Sequence, residues 1–308
     1  MKSFRGFPMM NSTAKMNMYG YSPQLKTVRR IQRQTFLAPL LQFLPAQNNR
    51  RFHAYCVGLP RSGTHSLGYM FGSRYSSKHE PAKTTTISHL LRYLSGTYTE
   101  SQWKALLRCR DLKLGLELES SHYLHHTVAI LAEMYPEAKF IHTVREPLSW
   151  LASEINQNLE TCENPMWRAI ERARYGRYGF QYAPEEKALA ALDAVWPVAS
   201  YLSYWRDHNE LIMRIIPKDR LLVLRTHEIK HSIDRIAHFL NIHPETINTS
   251  ASHSGKNSSK KFDLYAHVDV DFVQEKVDLH CGPLVEQLFD KVPQFYLTDK
   301  TLQPLTLS

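Results

Sequence analysis

The stretch Tyr55-Cys56-Val57-Gly58-Leu59-Pro60-Arg61-Ser62-Gly63-Thr64-His65-Ser66-Leu67 decides how this chain folds. An apolar run (Phe52, Ala54, Tyr55, Val57) stops at Gly58 and Pro60, and apolar character resumes with Leu67, Met70 and Phe71. That order predicts a strand, a glycine-bearing loop and a helix. Such a loop aims successive backbone N–H groups, and the positive end of the helix dipole, at one point where an anion is held. Gly63 lets the backbone come close, and Arg61 adds a guanidinium fork that matches phosphate or sulfate oxygens.

Gly58 and Gly63 have the outer spacing of the GxxxxGK[ST] nucleotide loop, but Thr64 stands where that loop has its lysine. The later apolar strand Phe140-Ile141-His142-Thr143-Val144 ends without the acidic residue that a nucleotide-bound metal needs. A metal-dependent kinase or NTPase is therefore an alternative without its two metal-dependent parts. A non-catalytic nucleotide-binding protein is the other alternative.

The flanking sequence bounds the reading. The 308 residues are 43% hydrophobic and 22% charged, a globular composition with room for a full core. The net charge of +9 is unevenly spread. Eight of the 38 Lys and Arg, and none of the 29 Asp and Glu, fall in residues 1–50, so the remaining 30 basic residues are nearly balanced by acidic ones. A neutral body does not call for nucleic acid. Cys56, Cys109, Cys162 and Cys281 are scattered without a CxxC, which fits the reducing cytoplasm and offers no zinc site. No apolar run approaches the ~18 residues of a membrane span.

Residues 1–50 read as a basic arm followed by an amphipathic helix over Gln24–Leu44, and residues 51–308 as one domain. After the anion loop, a second short strand ends on His79 and Glu80, before Pro81. Helices follow through Ile87–Leu94 and Trp103–Leu107. A third strand is expected over Leu112–Leu118, with His122 and Tyr123 at its exit. Lys139–Val144 is a fourth strand, leading into Arg145-Glu146-Pro147 and a helix that carries Ser153. The aromatic-rich segment 160–215 is expected to be mostly helical, and its part 160–210 to shape an acceptor pocket. Leu221–Leu224 is a last strand, followed by a helix from Ile229 to Leu240. This alternation predicts an α/β fold, one three-layer domain with about five parallel strands between helices. Ligands in such sheets bind beyond the carboxyl ends of the strands, which brings the Arg61 loop, Glu80, His122 and Arg145 to one edge. Two separated anion sites without a metal motif suit a nucleotide with phosphates at both ends of its ribose.

With those residues in view, Gly58–Leu67 resembles the 5′-phosphosulfate loop of the PAPS-dependent sulfotransferases. Tyr135–Pro147, with Ser153, is similar to their 3′-phosphate-binding strand and helix. Arg220–Leu240 resembles their last strand and helix, and Ser254–Lys261 stands where the family closes a basic loop over the 3′-phosphate. The resemblance covers residues 52–262 and implies a P-loop-like sulfotransferase fold. It implies that PAPS is the sulfuryl donor, that PAP is released, and that no metal is required. The donor would be held by Arg61, Ser62, Gly63, Thr64, His65 and Ser66 on one phosphate, and by Arg145, Ser153, Lys256, Asn257 and Lys260 on the other. Arg61 takes the place where many members use lysine. For the base that deprotonates the acceptor, the resemblance ranks Glu80 first, His122 second and His79 third. The lysine that precedes the family's histidine is missing before His122. The acceptor is expected to be a soluble small molecule, a natural product or toxin, that offers a hydroxyl or an amino or guanidino group.

Overall fold

The computed structural model describes residues 50–250, 262–289, 295–298 and 301–304. The basic arm and the Gln24–Leu44 helix lie outside the described residues, as do Lys256, Asn257 and Lys260. The chain divides into two compact units. One, within Ser88–Lys113, is a pair of helical segments whose rings meet, Tyr93 stacking on Trp103 at 5.7 Å and His89 Nδ1 lying 3.2 Å from the Tyr98 hydroxyl. The other carries the sheet.

The sheet holds β1 (Ala54–Cys56), β2 (Ser77–His79), β3 (Leu118–Ser120), β4 (Lys139–Val144) and β5 (Leu221–Arg225). Its order is β2-β3-β1-β4-β5 and every pairing is parallel. The expected α/β architecture is thus found, five parallel strands flanked by helices. The helices are α1 (Thr64–Met70), α2 (Lys83–Leu94), α3 (Glu100–Leu114), α4 (Val128–Met134), α5 (Pro147–Thr161), α6 (Pro165–Arg174), α7 (Lys187–Ala190), α8 (Val198–Ile215), α9 (Ile233–Leu240), α10 (Leu264–His267) and α11 (Val270–Leu288). An antiparallel pair, Phe295–Thr298 with Thr301–Pro304, follows.

Side-chain alternation along the strands builds the layers. Ala54, Cys56, Leu118, Ile141 and Leu224 point to one face and pack with Leu67 and Met70 of α1 and Ile236 and Leu240 of α9. Tyr55 and Phe140 point to the other, stacked at 5.7 Å, while His142 lies 5.7 Å from His208 of α8. A larger apolar cluster joins α5, α8 and α11 through Trp150, Leu151, Tyr201, Trp205, Val277 and Cys281.

Two boundaries differ from the sequence expectation. The third strand starts at Leu118 rather than Leu112, because α3 runs on through Leu114 before Gly115, at φ 56°, turns the chain out of the helix. Alternate leucines from 112 to 118 satisfy a helix end as well as a strand, and the periodicity alone misplaced the border. Ile229 lies in a 3-10 segment, Thr226–His231, that precedes α9.

Candidate active site

The exits of all five strands, with the helix starts beyond them, surround one cavity of about 590 Å³. Gly58 and Gly63 shape the loop after β1. A Cβ on Gly58 would stand 2.0 Å from Thr143 Oγ1, and Gly63 holds φ 101° with the side chain of Ile229 against its Cα. Arg61, between them, is itself left-handed at φ 62°. A non-glycine residue there costs about 1–3 kcal/mol and persists only where its surroundings enforce it.

Those surroundings are visible. The indole of Trp150 donates to the Pro60 carbonyl at 2.9 Å, and that of Trp205 donates to the Arg145 carbonyl at the same distance. The Thr226 hydroxyl reaches the Ser62 and Val144 carbonyls at 2.7 and 3.0 Å. Three side chains from α5, α8 and the β5 exit thus fix both candidate anion loops against each other.

The expected donor-site residues divide into those that face the cavity and those that hold the loop. Arg61, Gly63, Thr64, His65, Ser66 and Arg145 line the cavity. Ser62 is fully buried, its hydroxyl donates to the Leu59 carbonyl at 2.6 Å, and Thr143 Oγ1 lies 2.9 Å away. With its N–H also turned to Leu59, Ser62 braces the loop. Ser153 does not pair with Arg145. It accepts from Arg61 Nε at 2.9 Å, while Arg61 Nη1 reaches Gln157 Oε1 at 3.3 Å. Arg145 Nε donates instead to Ser149 Oγ at 2.8 Å, and its Nη1 to the Arg61 carbonyl at 3.3 Å.

Among the described residues neither Arg61 nor Arg145 has a carboxylate at ion-pair distance. Burial, and the like charge of Arg61, pull the Arg145 guanidinium below its ordinary value. Two guanidinium groups beside one cavity give that end the charge and donor geometry that match an anion.

Glu80, His79 and His122 meet at the same cavity. Glu80, at φ 46°, follows β2 and is tied to β3 by its N–H on the Ser120 carbonyl at 2.9 Å. Its Oε1 lies 2.7 Å from His122 Nε2, and Lys83 Nζ stands 3.6 Å from Oε2. Arg174 Nη2 lies 2.6 Å from His122 Nδ1. A guanidinium only donates, so Nδ1 is the accepting nitrogen and Nε2 carries the proton given to Glu80. Both nitrogens of His122 are therefore engaged. Burial works to raise the Glu80 carboxyl, but His122, His79 and Lys83 hold it well below the usual range, ionised. Burial drives His79 down to about 4, neutral near its 3.6 Å contact with Glu80.

The sequence points to segment 160–210 for the acceptor wall and, of the lining residues, marks only Trp167 among its aromatics. Glu154, Gln157, Asn158 and Thr161 of α5, with Trp167, Glu171 and Arg174 of α6, line the cavity. The α5 residues recur at helical spacing and so share one face, but Ser149, Ser153, Asn156 and Glu160 of the same helix are polar too, so the sequence does not single them out. Arg174 is almost fully buried, although its place in a charge-rich helix suggests a solvated side chain.

A family model described as "Sulfotransferase domain" matches residues 55–247. The chain is 33% identical over 98 residues to Ava biosynthesis cluster protein M of Aspergillus versicolor, a match that covers 30% of this chain and 38% of that protein's length. Solved structures with a similar course include sulfotransferase STF9 from Mycobacterium avium, at 11% identity and TM-score 0.41 over 91% of this chain and 92% of that one. A sulfotransferase from Alicyclobacillus acidocaldarius matches at 15% identity and TM-score 0.41, over 78% and 95% of the two chains. The family match spans the anion loop, the Glu80–His122 pair, Arg145 and the whole sheet, and on it the chain belongs to the sulfotransferase domain family.

Proposed function

We propose that the protein transfers a sulfuryl group from PAPS to a nucleophilic group of a small-molecule acceptor and releases PAP. The observation that carries this reading is the pair Arg61 and Arg145, two guanidinium groups beside one cavity without a carboxylate partner. PAPS, when bound, supplies an activated sulfuryl group whose leaving nucleotide is a stable anion. Arg61 and Arg145, with backbone N–H groups of Gly63 to Ser66, would hold its phosphates. Donors fixed in advance where negative charge grows stabilise the transition state most.

Glu80 is the residue assigned to take the acceptor's proton. It is ionised, lines the cavity and is held in place through His122 by Arg174. His122 then orients the carboxylate and steadies its charge, a role that suits a histidine with both nitrogens engaged. The acceptor enters along the α5–α6 wall, and a natural product is the class we favour. The four cysteines are free thiols, which accords with a cytoplasmic setting. Incubation with sulfur-labelled PAPS and a fractionated small-molecule extract tests the proposal. Label moving into a new product with release of PAP is expected; no transfer, or transfer only of phosphate from ATP, contradicts it.

A further inference from the structure

The α5–α6 end of the cavity holds two carboxylates that the sulfuryl-transfer reading leaves without a task. Glu154 and Glu171 are 1% and 3% exposed, and both line the cavity. Glu154 Oε1 accepts from the Tyr175 hydroxyl at 2.7 Å, but its Oε2 has no hydrogen-bond partner. Glu171 Oε1 accepts from the Thr161 hydroxyl at 3.1 Å. Among the described residues no basic side chain stands at ion-pair distance from either. The nearby cation, Arg174, is turned to His122.

A buried carboxylate oxygen without a partner is costly, and a charged carboxylate disfavours charge on a second one buried beside it. Burial and the charge of Glu154 push the Glu171 carboxyl up to about 8. Such an arrangement lowers stability unless something arrives to complete it. The missing piece has a definite chemistry. It is positive, small enough to enter between α5 and α6, and able to donate hydrogen bonds to a carboxylate.

We infer that the Glu154–Glu171 end of the cavity is a subsite for a positively charged nitrogen, an ammonium or guanidinium, carried by the acceptor. The inference rests on the acceptor reading of this cavity. The cation is bound there as a recognition group, while the nucleophile lies toward Glu80. A neutral polyol offers donors too, but leaves the charge of the pair unbalanced.

Methylguanidinium and its neutral isostere methylurea separate the cases, each titrated by NMR into the full-length protein. Methylguanidinium is expected to bind at least about tenfold more tightly, as for a charge-assisted contact. Glu154→Gln should erase that preference, whereas Glu171→Gln, an isostere of the protonated carboxyl, should leave most of it in place. Both variants keep the oxygen that accepts from Tyr175 or Thr161, so both should melt at or above the wild-type temperature. Equal affinity for the two probes in the wild type overturns the inference, and so does a preference that survives in folded Glu154→Gln. A separate PAP titration reports on the donor reading, so the failure of one claim is distinguishable from the failure of the other.

Discussion

The two ends of the cavity are built on opposite electrostatic principles. At the β1–α1 and β4–α5 loops, two guanidinium groups lie together without a counter-ion, on backbone fixed by Trp150, Trp205 and Thr226. At the α5–α6 wall Glu154 and Glu171 lie buried, and among the described residues neither has a basic side chain at ion-pair distance. On our proposal the first end takes an anion and the second a cation. Between them, Arg174 and His122 connect the acidic wall to Glu80. The contrast teaches that one cavity joins a basic end to an acidic one, which is what the proposed pair of ligands of different charge requires.

The comparison breaks most readily at Glu80. Glu80→Gln keeps an oxygen to accept from His122 but removes the basic carboxylate, so kcat should fall about 10²–10⁴-fold with PAP affinity intact. His122→Ala should cost less. A near-normal Glu80→Gln beside a crippled His122→Ala would hand the proton to the histidine. Arg61→Ala comes next, with turnover expected to drop roughly 10²–10³-fold, because its charge acts on the migrating group. A pure KM effect in steady-state kinetics would reduce Arg61 to a ground-state contact. Arg145→Ala sharpens the basic end: calorimetry should show PAP binding weakened by about 1.5–3 kcal/mol, the worth of a charge-assisted bond.

A smaller effect concerns stability alone. His125, His142 and His208 are buried and His126 is half-buried, and desolvation lowers all four, His142 to about 4. Between their ordinary value of 6.5 and the folded value, the unfolded chain binds more protons than the folded one. Stability should therefore decline as pH falls from 6.5 toward 4, read as a falling melting temperature. A melting temperature that is flat across this range would mean that these imidazoles are solvated.

The basic end was legible in the sequence because it is local. Gly58, Arg61 and Gly63 lie within six positions, and Arg145 stands directly after an apolar strand, so each loop announces its own chemistry. The acidic wall was not legible, since Glu154 and Glu171 belong to different helices and only packing buries them together. Local reading also aims Arg145 and Ser153 at one phosphate; in the fold Ser153 accepts from Arg61, and Arg145 donates to Ser149. One helical turn separates the two serines, and spacing along a sequence does not say which guanidinium arrives first. The Glu80–His122 contact shows the same limit differently: the two were ranked as rivals for one task, and the parallel pairing of β2 with β3 makes them partners.

The claim on which everything else depends is that the basic end receives PAPS. Titration calorimetry of PAP into the full-length protein, in buffer containing EDTA, tests it directly. The account predicts saturable binding without a divalent cation, weakened by Arg145→Ala, and no comparable binding of ATP under the same conditions. Binding of ATP that requires Mg²⁺, with PAP inert, would contradict it.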